Sequence, residues 1–206
     1  MRKVNQRSSI SLCLITAVLF VGCQGQRKPT GRDLSERDVE SSADASPKVK
    51  DRRIQIAVKA KEALFTALSG RLMEVLQADG PIAAISVCSR EASTIAASVG
   101  KEHGVEIGRT SFKLRNPANA PRDWVKPLVE ERVETTQSVL LENGNLGVLY
   151  PIHLNVKCLM CHGGPDDILD QVKTELAELY PNDAATGFKQ GDLRGWFWVE
   201  VPPDAI

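Results

Sequence analysis

Two cysteines separated by two residues, with a histidine directly after them, form the feature that most limits what this chain can fold into. The segment from Cys158 to His162 reads Cys-Leu-Met-Cys-His. Thiols at this spacing can each add to one vinyl group of a haem, and the histidine can bind the iron, which makes this the recognised c-type attachment signal. In a chain of this composition the pattern is expected on the order of 0.002 times by chance. We therefore predict one covalent haem c on Cys158 and Cys161, with His162 as an iron ligand.

Two other uses of these thiols stay open on the residue pattern. A zinc site could add Cys88 to the motif, although structural zinc sites usually place two ligand pairs at close spacing and Cys88 is distant and alone. A redox-active disulfide between Cys158 and Cys161 would need a βαβ context, and it would leave His162 without a role. Both are less favoured than haem attachment.

The N-terminal segment predicts export. A positively charged start between Arg2 and Arg7 precedes an apolar run from Ile10 to Gly22, which is too short to span a bilayer and has the length of a signal-peptide hydrophobic region. The run meets Cys23 in a way that resembles a bacterial lipobox, although Phe20 stands where leucine is usual. We expect residues 1–22 to be a lipoprotein signal peptide and a lipid on Cys23 to hold the protein on the periplasmic side of a bacterial membrane. An ordinary signal peptide is the alternative.

The remaining cysteines argue against a disulfide framework. Cys13 would leave with the signal peptide and Cys23 would carry lipid, so Cys88, Cys158 and Cys161 remain. An odd number of thiols cannot all pair within one chain, even in an oxidising compartment. The thiols must serve another purpose.

Composition and apolar spacing predict one α+β domain behind a tether. Residues 23–50 are rich in Ser, Asp, Glu, Arg and Lys and form a predicted flexible tether, followed by a domain over 51–206. Without residues 1–22 the chain has 23 basic and 26 acidic side chains, a net charge of −3, which argues against nucleic-acid binding. The pattern predicts helices over 52–77, 81–99, 124–141 and 168–179, with Gly100 ending the second helix, and strands over 105–112, 146–154 and 193–201. This order favours an antiparallel sheet with flanking helices.

The second iron ligand is less determined by the pattern. The candidates are Met73, Cys88, His103 and His153. His103 lies in a polar connection, His153 is typical of a partly buried strand histidine, and Met73 is more typical of core. Cys88 stands out as a lone thiol on the core-facing side of the second helix, yet a buried free cysteine often acts only as a small hydrophobe. The pattern alone leaves the choice open.

Several sequence blocks over residues 55–202 carry a resemblance to a known family. They are Ile85-Ser86-Val87-Cys88, Arg115 to Pro121 with Trp124, Tyr150-Pro151-Ile152, Cys158 to Gly163, Tyr180 to Asp183, Thr186-Gly187-Phe188 and Gly191 to Gly195. The chain resembles single-haem c-type domains with a PAS-like fold, exported sensor modules long described as a domain of unknown function. The resemblance implies a five-stranded antiparallel sheet with flanking helices, and His162 and Cys88 as the two axial ligands. Trp196-Phe197-Trp198 departs from the family, where small residues are commoner, and puts the packing of the last strand in question.

The expected function is a haem-based redox or small-ligand sensor, which is a binding module rather than an enzyme. The long N-terminal helix would be the moving part, and the partners would be a membrane surface, an unidentified redox or signalling protein and a diatomic ligand. The alternative is a low-potential electron carrier, because a thiolate ligand stabilises ferric iron. A peroxidase-like enzyme would need an open iron position, which two axial ligands do not leave.

Two arginines are candidates for contact with the haem propionates. A guanidinium matches a carboxylate in a bidentate way, and Arg115 and Arg194 lie beside blocks of the motif set. The alternative for each is a solvent-facing arginine beside a turn.

Overall fold

The structure, a computed structural model, describes residues 47–205. The predicted signal peptide, Cys23 and most of the predicted tether lie outside the described residues, so those expectations stay predictions. The helices are α1 (Pro47–Ser86), α2 (Ala92–His103), α3 (Lys126–Glu130), α4 (Leu159–His162) and α5 (Asp170–Leu179). The strands are β1 (Glu106–Thr110), β2 (Gln137–Leu140), β3 (Leu146–His153) and β4 (Leu193–Val201). No helix in this part of the chain is long and apolar enough to cross a membrane.

The first long helix folds back on itself at Gly80. Gly80 has φ 83° and ψ −179°, a conformation that is essentially restricted to glycine, and Pro81 follows it. The Arg71 guanidinium lies 2.8 Å from the Glu91 carboxylate. Twenty residues of straight helix would separate these side chains by about 30 Å, so the arms on either side of Gly80 form a hairpin. The helix break predicted before Pro81 is therefore confirmed, and the second arm leads into a π-helical turn, Val87–Glu91.

The predicted end of the second helix at Gly100 is wrong. α2 continues to His103, and Gly104 ends it with a left-handed φ of 64°. Gly100 is buried inside the helix, where a Cβ atom would lie 2.8 Å from the Val105 carbonyl oxygen. This glycine therefore permits the close approach of the chain that enters β1.

The four strands form one antiparallel sheet in the order β1-β4-β3-β2. One face packs against α1 and α2, with buried residues that include Ala57, Ala60, Leu64, Val99, Val148, Phe197 and Val199. The alanines and leucine recur along α1 at helical spacing, which explains why this arm lies on the sheet. The opposite face packs against the segment around α3, through Val125, Val129, Leu149, Leu193 and Trp196.

Two expectations about the sheet need correction. The described residues contain four strands, not the five that the resemblance implies. The helix predicted over 124–141 is limited to Lys126–Glu130, because Arg132 takes a positive φ of 52° and residues from Gln137 onward pair with β3. Backbone pairing across the Asn143–Asn145 turn prevails over an apolar spacing that also suits a helix. The strand predicted over 193–201 agrees with β4.

The bulky residues of β4 have well-defined partners. Trp196 is fully buried, and its indole N–H donates to the Val133 carbonyl oxygen at 2.8 Å. Trp198 lies on the same face, with the Arg122 guanidinium 4.5 Å from its ring centroid. The two tryptophans that depart from the family pattern therefore pack against the segment around α3.

Candidate functional site

The Cys-Leu-Met-Cys-His segment follows β3 as a short 3-10 turn, Val156–Cys158, and the single helical turn α4. The Asn155 side chain caps this entry by accepting from the Lys157 backbone N–H at 2.9 Å. Residues three apart in a helical turn lie on the same side, so Cys158 and Cys161 can face one ligand together. Both are free, partly buried thiols.

His162 is oriented with one ring nitrogen available. Its Nδ1 atom lies 2.7 Å from the Ala185 carbonyl oxygen, and the tautomer that donates this hydrogen bond leaves the Nε2 lone pair free. Burial, with smaller contributions from the nearby cations Arg115 and Arg194, lowers the pKa of His162 to about 3. The ring is therefore neutral near pH 7, which is the form that binds a metal ion.

The segment from Asp183 to Phe188 packs against His162 and hydrogen-bonds to the end of the Cys-Leu-Met-Cys-His motif. The Phe188 backbone N–H donates to the His162 carbonyl oxygen at 3.0 Å, and the Gly187 N–H donates to the Gly163 carbonyl oxygen at 2.7 Å. The Phe188 ring also meets the imidazole edge-on, with 6.5 Å between centroids. The orientation of His162 is therefore determined by both backbone and side chain.

A cleft lies in front of this motif, where β1 and β3 end and β4 begins. It consists of two adjoining cavities that share five lining residues. The residues that line both are Cys88, Arg115, Ile152, His162 and Arg194. The larger cavity is mostly apolar and contains Cys158 and Cys161, together with Leu72, Met73, Leu76, Ile85, Leu154 and Met160.

The smaller cavity carries an excess of positive charge. Arg109, Arg115 and Arg194 all line it. Among residues 47–205 the one carboxylate that pairs with these three guanidiniums is that of Asp183, bound to Arg115. Burial, and then the neighbouring Arg115 and Arg109, lower the pKa of Arg194 to about 10. This end of the cleft is therefore suited to an anionic group.

Arg115 and Arg194 also have partners within the chain. The buried Arg115 donates from Nε to the Asp183 carboxylate at 2.9 Å, and it donates to the Cys161 carbonyl oxygen. Arg194 donates to the Ser111 hydroxyl oxygen at 2.8 Å and to the Lys113 carbonyl oxygen at 3.0 Å. Arg115 is 9% exposed and Arg194 is partly buried, so neither is a solvent-facing arginine beside a turn.

Of the four candidates for the second iron ligand, the structure brings two into the cleft. Cys88 lies in the π-helical turn and lines both cavities with His162, and Met73 lines the apolar cavity. His153 points elsewhere, 3.7 Å from the Glu134 carboxylate with 41% of its side chain exposed, and His103 ends α2. Single π-helical turns are frequent at functional sites.

Comparison with known proteins identifies the family and the fold. The family model described as Tll0287-like matches residues 32–202. The chain belongs to the Tll0287-like family. Among solved structures, the crystal structure of the cyanobacterial haem protein Tll0287 matches with a TM-score of 0.52 and 20% sequence identity, over 77% of this chain and 97% of that one. At this identity the match shows a shared fold, and it confirms the predicted α+β class. No curated protein matches the sequence.

The two other uses of the thiols are not favoured by this Tll0287-like domain. A zinc site needs several ligands converging on one point, and within the described part of the chain no three His, Cys, Asp or Glu side chains do so. The four described strands pair in antiparallel fashion, whereas a thioredoxin-type pair is expected in a βαβ unit.

Sequence reasoning missed two contributors to the cleft of this Tll0287-like domain. Arg109 lies in β1, and its sequence signal was a charged residue between Gly108 and Thr110 inside a predicted strand. Ala185 supplies only a backbone carbonyl to His162, and a backbone contact leaves no residue signature. Such contacts depend on how the chain returns after α5.

Proposed function

We propose that this Tll0287-like domain carries one haem c bound to Cys158 and Cys161, with His162 and Cys88 as axial ligands, and that it acts as a redox or small-ligand sensor. The observation that carries the proposal is the single cleft that gathers these four side chains. The likeness to the haem protein Tll0287 supports it.

The residues of the cleft fit a haem at both ends. The apolar cavity holds the two attachment thiols beside aliphatic side chains that would exclude water from the porphyrin. The opposite end has three guanidiniums, and Arg109 and Arg194 have no acidic partner among residues 47–205. The two carboxylates of a haem would supply the missing negative charge. Arg115 and Arg194, together with Arg109, are therefore the proposed propionate partners.

Each of the chain's own groups has a distinct task. The Ala185 carbonyl would hold His162 with Nε2 directed away from it, and Arg115 would hold the attachment turn, residues 158–162, through the Cys161 carbonyl. Cys88 would bind as the thiolate, which favours ferric iron. When bound, the haem supplies a one-electron couple and, where an axial position is free, a site for a diatomic ligand.

The position of Cys88 favours a sensor. It lies in the π-helical turn after the second arm of α1, and Glu91 in the same turn pairs with Arg71 on the first arm. Loss of the Cys88 ligand on reduction would therefore release a segment that is connected to both arms of the hairpin. With both axial positions filled in the ferric protein, we propose no enzymatic activity.

A low-potential electron carrier is the second candidate. Val156, the first residue of the 3-10 turn that leads to Cys158, is 63% exposed, and an exposed apolar residue near the attachment cysteines would suit contact with a redox protein. The lipid on Cys23, the periplasmic location, the absence of nucleic-acid binding and a protein partner belong to either proposal.

The proposal is tested by spectra of the purified holoprotein. Ferric wild-type protein should be low-spin with a thiolate charge-transfer band, and Cys88→Ala should abolish that band and raise the reduction potential. Loss of the thiolate signature on reduction, with carbon monoxide binding, supports the sensor. Reduction without any change of ligation supports the carrier instead. If Cys88→Ala leaves the ferric spectrum unchanged while His153→Ala alters it, the assigned ligand pair is wrong.

A further inference from the structure

Met73 lines the cleft from the first arm of the hairpin, whereas Cys88 follows the second arm. It lies on the first arm of α1, seven residues before Gly80, and lines the apolar cavity together with Cys88 and His162. The Arg71–Glu91 pair shows that the two arms lie side by side at this level. Two sulfur side chains therefore face the same space from two different segments.

Met73 lines the cavity and lies outside the apolar clusters beside it. Its neighbours Leu72 and Leu76 pack against the buried cluster of Val75, Ala84 and Val87. Met73 is partly buried but belongs to none of the apolar clusters in the described residues. A flexible thioether directed into a cavity, rather than into the core beside it, is available to bind a ligand.

The two sulfur atoms differ in the oxidation state of iron that they favour. An anionic thiolate stabilises ferric iron, whereas a neutral thioether opposite histidine raises the reduction potential and so favours ferrous iron. We propose that Met73 is a second axial ligand for the position that Cys88 occupies, with Cys88 bound in the ferric protein and Met73 in the ferrous protein. This inference rests on the proposed function.

The exchange balances as a one-electron step. An external one-electron reductant would supply the electron. Cys88 would then release the iron as a thiol, taking one proton from water and leaving hydroxide, and the Met73 thioether would hold the iron in its place. The contact with iron would thus pass from the segment after Gly80 to the segment before it. Reduction thereby alters the arms of α1, which gives the sensor a defined movement.

The test compares Met73→Leu with Met160→Leu in the holoprotein reduced by dithionite. Met160 lines the same cavity but lies inside the attachment turn, so its substitution is a matched control. Ferrous wild-type and Met160→Leu proteins should be low-spin with a thioether ligand. Ferrous Met73→Leu should be high-spin, and carbon monoxide should bind it about tenfold faster if the thioether occupies the position about nine-tenths of the time.

A Leu–Met exchange conserves side-chain volume and is usually tolerated, and an unchanged ferric spectrum of Met73→Leu will show that this variant is folded. A ferrous Met73→Leu spectrum identical to that of the wild type overturns the inference, as does a five-coordinate ferrous wild-type protein. Either result leaves the attachment of haem intact. A polypeptide without covalent haem would instead defeat the proposed function.

Discussion

The two sides of the cleft are held in different ways. On the side of His162, the attachment turn is bound to the segment from Asp183 to Phe188 by backbone hydrogen bonds, a buried ion pair and the Ala185 carbonyl. On the side of Cys88, the helical hairpin is held by apolar packing and by the Arg71–Glu91 pair, whose side chains are 39% and 38% exposed. The proposed ligand His162 is therefore held mainly by hydrogen bonds and an ion pair, whereas the proposed ligand Cys88 lies on a segment held mainly by apolar packing. The proposed sensor would use this difference by taking up a change at the iron mainly on the Cys88 side.

The largest expected loss of stability is on the side of His162. Asp183→Ala removes the partner of Arg115, whose pair is 8% and 10% exposed, and loss of one member of a buried ion pair typically costs about 3–5 kcal/mol. Chemical denaturation should show this loss in the free energy of unfolding, together with weaker covalent haem incorporation. A loss below about 1 kcal/mol, the value typical of exposed pairs, would contradict the account of this side.

The second effect is the pH dependence of the free energy of unfolding, measured on the protein produced without haem. The pKa of His162 is about 3 in the fold against an ordinary value of 6.5. The unfolded chain therefore binds more protons between these values, so stability is complete above about pH 6.5 and falls as the pH decreases toward about 3. Acid titration of the free energy of unfolding should show this fall. His162→Gln should flatten it, and a slope that is the same in both proteins would show that His162 is not buried and neutral.

A smaller loss of stability is expected on the side of Cys88, at the Gly80 bend of the hairpin. Gly80→Ala has open space around its new Cβ, so the whole cost is that of the glycine-only backbone conformation, about 1–3 kcal/mol. Gly70→Ala is the control, since Gly70 is helical and equally uncrowded. Thermal unfolding should separate the two variants. An equal response would mean that the hairpin does not depend on the conformation of Gly80.

The smallest effect belongs to the exposed pair. Glu91→Gln removes one of the two carboxylate partners of Arg71, the other being Glu74, and exposed ion pairs contribute little to stability. We expect little change in unfolding but a change in how the hairpin responds to reduction, measured by hydrogen exchange of α1 in ferric and ferrous protein. A loss comparable to that of Asp183→Ala would remove the difference between the two sides.

The sequence predicted the elements whose patterns are local. The attachment segment, β4 and the break before Pro81 could be located because spacing, alternation and a helix-breaking residue each leave a residue signature. The edge strand β2 could not, since residues 137–140 lack a period that excludes a helix and become a strand only by pairing with β3. The cluster of Arg109, Arg115 and Arg194 could not be predicted either. These residues come together only because the chain returns to one end of the sheet.

The proposed function depends most directly on haem covalently bound to residues 158–162. Mass spectrometry of the denatured protein, produced together with the c-type maturation machinery, should show the polypeptide mass increased by one haem. After digestion that increase should lie on the peptide containing Cys158 and Cys161, and alanine at both positions should abolish it. A polypeptide of unmodified mass that contains stoichiometric zinc would contradict the account.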